Sequence, residues 1–349
     1  MRMLQRARFV WVAAAAATLL SGCGSSETSQ VTAAGGSAGA ATFMGDGNFS
    51  AASVHDPKFP LRKSNGPLHS HPLRGKIAAN IKTMWMSDAG DNNVQIFTFP
   101  SGTYIGAAPA PPEGFAQPQG MCSDKAGDVF VANTSSGTID EYAGNGTFVK
   151  ALFDPNEYPV GCAIDPSSGT LAVSNIISSG DNAGGISLYK KASGKPRQLT
   201  DPNMIEIYFI AYYGSTGKLF YSGFNNSFDP AISSYVRGTF NIVPLNGATI
   251  GFPGTVAWAS KTKSLAIAGQ ATAGGPTFYH VKADGNVTGA TVLACASDYC
   301  DVDQATVEGK YIVAAAGVYA YPAGGDPLYT VGASGFGELI GSAVSIVKQ

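Results

Sequence analysis

Charge is scarce in this chain. Asp, Glu, Lys and Arg make up 13% of 349 residues, and the formal net charge is −2. Without a basic stripe there is no electrostatic footprint for nucleic acid, so that class of partner is excluded. Histidine occurs four times, and only His280 lies beyond residue 71. No G-x-S-x-G elbow accompanies it, which leaves a Ser-His-Asp hydrolase unsupported. No Cys-x-x-Cys pair is present, so a thioredoxin-like or zinc-ribbon role has no basis. Long apolar runs are missing too. The run "FVWVAAAAATLL" at 9–20 falls short of the roughly twenty residues that span a bilayer as a helix.

What is present at the start has the order of a secretory signal peptide. Arg2, Arg6 and Arg8 precede the apolar run, and small residues follow it in "LSGC" at 20–23. "LSGC" resembles the lipobox of bacterial lipoproteins. That resemblance implies cleavage after residue 22, acylation of Cys23 and attachment to a membrane through the N-terminal lipid. No Asp follows Cys23 directly, which for this family implies the outer membrane or cell surface. The alternative is a plainly secreted protein. Residues 24–53 are rich in Gly, Ala, Ser and Thr and cannot bury enough apolar surface to fold, so 23–76 is expected to be a flexible tether and irregular connector. His69 and His71 form an H-x-H pair. A metal reading of the pair lacks a nearby Cys or carboxylate cluster, and a solvated connector is the simpler expectation.

From residue 77 to 349 the chain turns into short strands separated by Gly, Pro, Asn and Ser. Six similar strands, "MWMSDA" (84–89), "VFVANT" (129–134), "LAVSNI" (171–176), "LFYSGF" (219–224), "LAIAGQ" (265–270) and "YIVAAA" (311–316), start about 42 to 48 residues apart. That is the repeat length of a four-stranded propeller blade. The spacing predicts an all-β fold, a six-bladed β-propeller; a β-sandwich would not need six units of equal length. The last five of these strands each follow a turn and another strand. The first has no such predecessor, and "LIGSAVSIVKQ" at 339–349 reads as the missing one, closing the first blade and removing an open sheet edge.

The phrases "PQGMCSDKAGDVFVAN" (118–133) and "YPVGCAIDPSSGTLAVSN" (158–175) resemble the NHL-type repeat and its six-bladed relatives. These include sugar lactonases, an antibiotic lyase and many non-enzymatic scaffolds, so the resemblance implies a fold more than an activity. In a propeller, the loops into the innermost strands and those after the second strands meet at one mouth of the channel. That mouth should carry Asp88, Asn92, Asn93, Gln119, Asn133, Asn175 and Glu338. Metal-dependent lactonases of this fold use a similar Glu, Asn, Asn, Asp set, and such oxygens suit Ca²⁺. The opposing reading is that these residues serve turn geometry and the chain carries no cofactor. His280, in "TFYHVKAD", is expected on a third strand away from the channel.

The fourth blade is unusually aromatic. Most of its rings should be core, with Phe224, Asn225, Asn226 and Phe228 in a loop that could contact sugars or peptides. With Cys23 assigned to lipid, four cysteines remain. Cys295 and Cys300 form a C-x₄-C loop that closes only if it turns back on itself. Cys122 and Cys162 align one position out of register on neighbouring innermost strands. Such an odd offset directs both sulfurs into one blade interface or both away from it. Taken together, the expectation is a monomeric, lipid-anchored module for protein or glycan partners, with a divalent-metal-dependent hydrolase as the alternative.

Overall fold

The computed structural model describes residues 71–178, 183–270, 275–294, 302–314, 317–331 and 339–347. They form six four-stranded antiparallel sheets. Blade 1 holds β1 (Lys82–Asp88), β2 (Asn93–Thr98) and β3 (Tyr104–Ala107). Blade 2 holds β4 (Pro118–Ser123), β5 (Val129–Asn133), β6 (Thr138–Tyr142) and β7 (Phe148–Phe153). Blade 3 holds β8 (Glu157–Ile164), β9 (Leu171–Ser178), β10 (Gly185–Tyr189) and β11 (Arg197–Thr200). Blade 4 holds β12 (Met204–Tyr212), β13 (Leu219–Asn225), β14 (Pro230–Val236) and β15 (Thr239–Ile242). Blade 5 holds β16 (Val256–Ala259), β17 (Ser264–Ile267), β18 (Thr277–Val281) and β19 (Val287–Val292). Blade 6 holds β20 (Thr306–Glu308), β21 (Tyr311–Ala314), β22 (Gly317–Ala320) and β23 (Tyr329–Thr330).

The last strand, β24 (Leu339–Ile346), pairs antiparallel with β1, Trp85 opposite Ala343 and Met84 opposite Val344. It is the innermost strand of blade 1, so the sheet order there is β24-β1-β2-β3. The innermost strands β24, β4, β8, β12, β16 and β20 touch in that cyclic order and close a ring. The chain is a six-bladed β-propeller.

The second strands are nearly continuous apolar runs because blades pack on both of their faces, which erases the usual alternation. Period two survives in which neighbour each residue meets. Trp85 packs with Val129 and Val131 of blade 2, while Met84 and Met86 pack with Val313 and Val318 of blade 6. Six buried clusters fill the six interfaces in this way and a seventh gathers over the axis. Most of the fourth-blade aromatics, among them Tyr208, Phe209, Phe220 and Tyr221, lie in this core.

Each interface also carries a hydroxyl that donates to a backbone carbonyl of the following blade. Ser87 bonds Gln119 O at 2.5 Å, Ser174 bonds Tyr208 O, and Ser222 bonds Gly254 O at 2.6 Å. These three serines occupy one position of the second strand, where the other blades have Ala132, Ala268 and Ala314. There a threonine takes over. Thr134 bonds Pro159 O at 2.7 Å, Thr255 bonds Asp303 O at 3.0 Å and Thr306 bonds Ser342 O at 2.6 Å. A buried hydroxyl needs a partner, and an inner-strand carbonyl that faces its neighbour supplies one.

Blades 2 and 3 are also joined covalently. Cys122 on β4 and Cys162 on β8 form a disulfide, with Cα atoms 5.6 Å apart. On the outside, the chain at 71–73 lies parallel to β3, with Leu73 N donating to Ala107 O at 2.9 Å and Ala107 N to His71 O at 3.0 Å. Leu73 and Ile77 pack on the interface between blades 1 and 2. Among the described residues, contact with the propeller is thus already made at 71–73, ahead of the repeat region that starts at 77.

Candidate functional site

The channel mouth is set by residues of the innermost strands and the loops beside them. Ile340, Val160, Tyr208 and Phe209 come from three different blades, yet they share one buried cluster with Ala89, Ile176 and Phe252. Phe224 packs on it edge-on, 6.0 Å from the Tyr208 ring and 5.2 Å from that of Phe252. Residues from blades 1, 3 and 4 can meet only over the axis, so the mouth is filled by aliphatic and aromatic side chains. The Gln304 side chain, at the start of blade 6, reaches the inner strand of blade 2. Its Oε1 accepts from Met121 N at 2.6 Å and its Nε2 donates to Met121 O at 2.9 Å. Gly341 makes room for this crossing: a Cβ there would lie 2.8 Å from Gly120 Cα and 2.9 Å from Gln304 Oε1. Beside it, between blades 6 and 1, a small cleft is lined by Met86, Val302, Asp303, Leu339 and Ile340.

Two polar groups stand within this apolar surround. Tyr208 Oη donates to Glu206 Oε2 at 2.9 Å, and burial pushes the Glu206 carboxyl up to about 7. Gln119 is fully buried, and among the described residues neither of its side-chain amide atoms has a hydrogen-bond partner.

The polar candidates for the mouth are dispersed among local tasks. Asp88 Oδ1 accepts from Asp91 N at 3.1 Å and caps its own turn. Asn92 Oδ1 accepts from Gln117 N at 2.7 Å, tying blade 1 to the loop that leads into blade 2. Asn93 starts β2 half-buried. Asn133 accepts from Ala116 N at 2.7 Å and donates to Gly114 O at 2.9 Å and Asp140 Oδ2 at 3.0 Å. Asn175 turns into blade 3 and donates to Ser187 Oγ at 2.8 Å. Glu338 lies outside the described residues. No two of Asp88, Asn133 and Asn175 share one of these hydrogen-bond partners. Among the described residues no three His, Cys, Asp or Glu side chains group as a metal site.

The candidate binding loop sits on the same face. Asn225 Oδ1 accepts from Ser227 N at 2.8 Å and Asp229 N at 3.0 Å, and Asn226 Nδ2 donates to Pro202 O at 2.9 Å. These bonds fix the loop and leave Phe228 38% exposed, whereas Phe224 belongs to the mouth cluster. His280 lies on β18, the third strand of blade 5, with its Nε2 2.8 Å from Thr291 Oγ1 and its pKa lowered by burial. His71 packs against Tyr104 with the ring centroids 5.0 Å apart and the rings tilted. Cys23, His69, Cys295 and Cys300 lie outside the described residues.

A set of buried carboxylates escaped the sequence reading. Asp154 and Asp201 each lead into a blade within the tripeptide Asp-Pro-Asn, and each reaches a third-strand serine, Ser187 or Ser233. In blade 2 the serine position is taken by Asp140, which lies beside Glu113. Burial and that neighbouring carboxylate push Asp140 up to about 7. The signal was the recurrence of "DPN" at 154–156 and 201–203 together with "TIDEY", "GISLY" and "AISSY".

No protein-family model matches this chain, and no curated protein matches it. Among solved structures it is similar to a chain in the crystal structure of a nidogen/laminin complex. The identity is 15% and the TM-score 0.57, over 77% of this chain and 100% of that one. Likeness at this identity shows the fold alone: the chain is a β-propeller, and its chemistry has to be argued from its own residues.

Proposed function

We propose that this chain is a lipid-anchored, extracytoplasmic propeller that acts as a non-catalytic binding or scaffold module for protein or glycan partners. The observation that carries the non-catalytic part is the filled axis. Tyr208, Phe252 and Ile340 occupy the place where a propeller enzyme would open to substrate, and Gln304 crosses the channel beside them. Asp88 Oδ1 and Asn133 Oδ1, two of the oxygens that would hold a catalytic metal, already accept from backbone amides, and the Asn175 amide turns into its own blade. Support for a binding face comes from the loop 225–229, held by Asn225 with the Phe228 ring turned outward. An aromatic face next to amides suits sugars and extended peptides. The anchor rests on "LSGC" and Cys23.

The test uses the full chain in detergent. Its binding to a polysaccharide and peptide array is compared with that of Phe228→Ala, and hydrolysis of a lactone panel is measured with added Ca²⁺ or Mn²⁺ and with chelator. Binding to a defined glycan or peptide that Phe228→Ala weakens supports the reading. Chelator-sensitive lactone hydrolysis overturns it in favour of a metal-dependent hydrolase.

A further inference from the structure

Blades 3 and 4 carry the same polar device in two states of completion. In blade 4 Asp201 has both oxygens filled. Oδ1 accepts from Asn203 N and Nδ2, both at 2.9 Å, and Oδ2 accepts from Tyr221 Oη at 2.7 Å and Ser233 Oγ at 2.6 Å. In blade 3 Asp154 Oδ1 accepts from Ser187 Oγ and Gln198 Nε2, both at 2.8 Å, and among the described residues Oδ2 has no donor within hydrogen-bond distance. The sequence explains the difference. Tyr221 stands opposite Ser233, and the residue opposite Ser187 is Val173, which has no hydroxyl to give. The nearby Tyr189 hydroxyl donates to Phe153 O at 3.1 Å instead.

A second bare acceptor lies beside the first. Asn175 donates its Nδ2 to Ser187 Oγ, the same hydroxyl that bonds Asp154, and its Oδ1 has no donor among the described residues. Both Asp154 and Asn175 are 0% exposed. The Glu157 carboxylate comes to the same place: its Oε2 is 3.8 Å from the Cβ position of Gly185, and Gly185 pairs directly with Asn175. Buried polar atoms are rarely left without partners, and two bare buried acceptors with a further carboxylate close by call for a positive charge.

We propose that blade 3 binds one calcium-class divalent cation through Asp154 Oδ2, the Asn175 amide oxygen and the Glu157 carboxylate. Oxygen-only ligands with two negative charges suit Ca²⁺, and so small a ligand charge places the affinity in the weak range of extracellular modules, about 10⁻⁴ to 10⁻³ M. The ion ties the crossover from blade 2 to the start and middle of blade 3. It lies inside the blade, apart from the channel mouth, so the proposal is independent of whether the protein binds partners or catalyses.

The full chain in detergent, stripped with EGTA, is titrated with CaCl₂ by calorimetry and followed by thermal melting. One ion per chain and a melting temperature that climbs by several degrees through the millimolar range are expected. Asp154→Asn removes both responses. Glu157→Gln, at a half-buried position, weakens binding at least tenfold and serves where Asp154→Asn fails to fold. Asp201→Asn, whose oxygens are already filled, keeps the calcium response. Absence of heat and of a melting shift in the unaltered chain overturns the proposal and leaves Asp154 as a neutral buried acid. A response that survives in both Asp154→Asn and Glu157→Gln overturns it as well, by placing the ion elsewhere.

Discussion

The Cys122–Cys162 bridge closes a loop across the first crossover between complete blades, with a sequence separation of 40. In the chain-entropy account, cross-linking a loop of that size removes about 13 cal/mol/K from the unfolded ensemble, or ~4 kcal/mol at 25 °C. That is a large share of the 5–15 kcal/mol that holds a typical domain folded. For a domain of this size each kcal/mol shifts the melting temperature by about 2–4 °C, so a loss of roughly 10 °C is expected on removing the bridge. The Cys122→Ala/Cys162→Ala double variant isolates this term, since reductant would also reach Cys295 and Cys300. Urea unfolding and calorimetry of the double variant against the unaltered chain give the difference directly. Alkylation of the denatured, unreduced protein reports whether the two sulfurs were bonded. A stability loss under about 1 kcal/mol, or both thiols found alkylated, would refute the reasoning.

Deleting residues 339–349 removes β24 and with it the burial of Ile340, Ala343 and Val344. Large apolar side chains contribute about 1.5–3 kcal/mol each, and β1 is left as an open edge. Light scattering and melting should show aggregation or a lost cooperative transition, whereas a melt like that of the full chain would contradict ring closure. For Cys23→Ser, fractionation should find the protein released from membranes with its melting unchanged; unchanged partitioning would count against acylation. Glu206 predicts a pH effect. Its carboxyl binds a proton more tightly folded, at about 7, than unfolded, near the ordinary 4.5. Its contribution is therefore complete below about pH 4.5, falls by up to ~3 kcal/mol as pH rises to about 7, and is level above that. Glu206→Gln should flatten that part of the slope and stabilise the protein at pH 8, while Asp140, also raised to about 7, keeps its own share. An unaltered pH profile in Glu206→Gln would show that the carboxyl is not buried.

The propeller was legible because its repeat is a matter of spacing. Six second strands at near-equal intervals require six units, and the lone unpaired strand at the C-terminus has one place to go. The cysteine offset on β4 and β8 was readable to the point of two alternatives, and the sense of the blade faces decided between them. The channel mouth was less legible. Asn133 and Asn175 fall at the strand ends where metal-binding propellers carry ligands, yet a side chain at a strand end can turn to its own blade. Asp140 and Ser187 on the third strands drew them there. The plug was hidden for a different reason: Ile340, Val160, Tyr208 and Phe252 are scattered over 180 residues, and each alone reads as ordinary core. Gln304 has no local pattern at all, because its partner, Met121, is 183 positions away.

The join between β24 and β1 sets an order of assembly. Ser87 and Gly341 bond each other across 254 positions of chain, so the blade whose strands are synthesised first is the last to be finished. Blades 2 to 6 are contiguous in sequence, and each can form as it emerges, with the bridge between blades 2 and 3 available early. Strands β1 to β3 must wait with one edge uncovered until the final stretch arrives. Strand β24 thus acts as a latch that is fastened only once residues 339–346 have been made. A product that stops short of β24 would carry a sticky edge and be the natural target of proteolytic clearance.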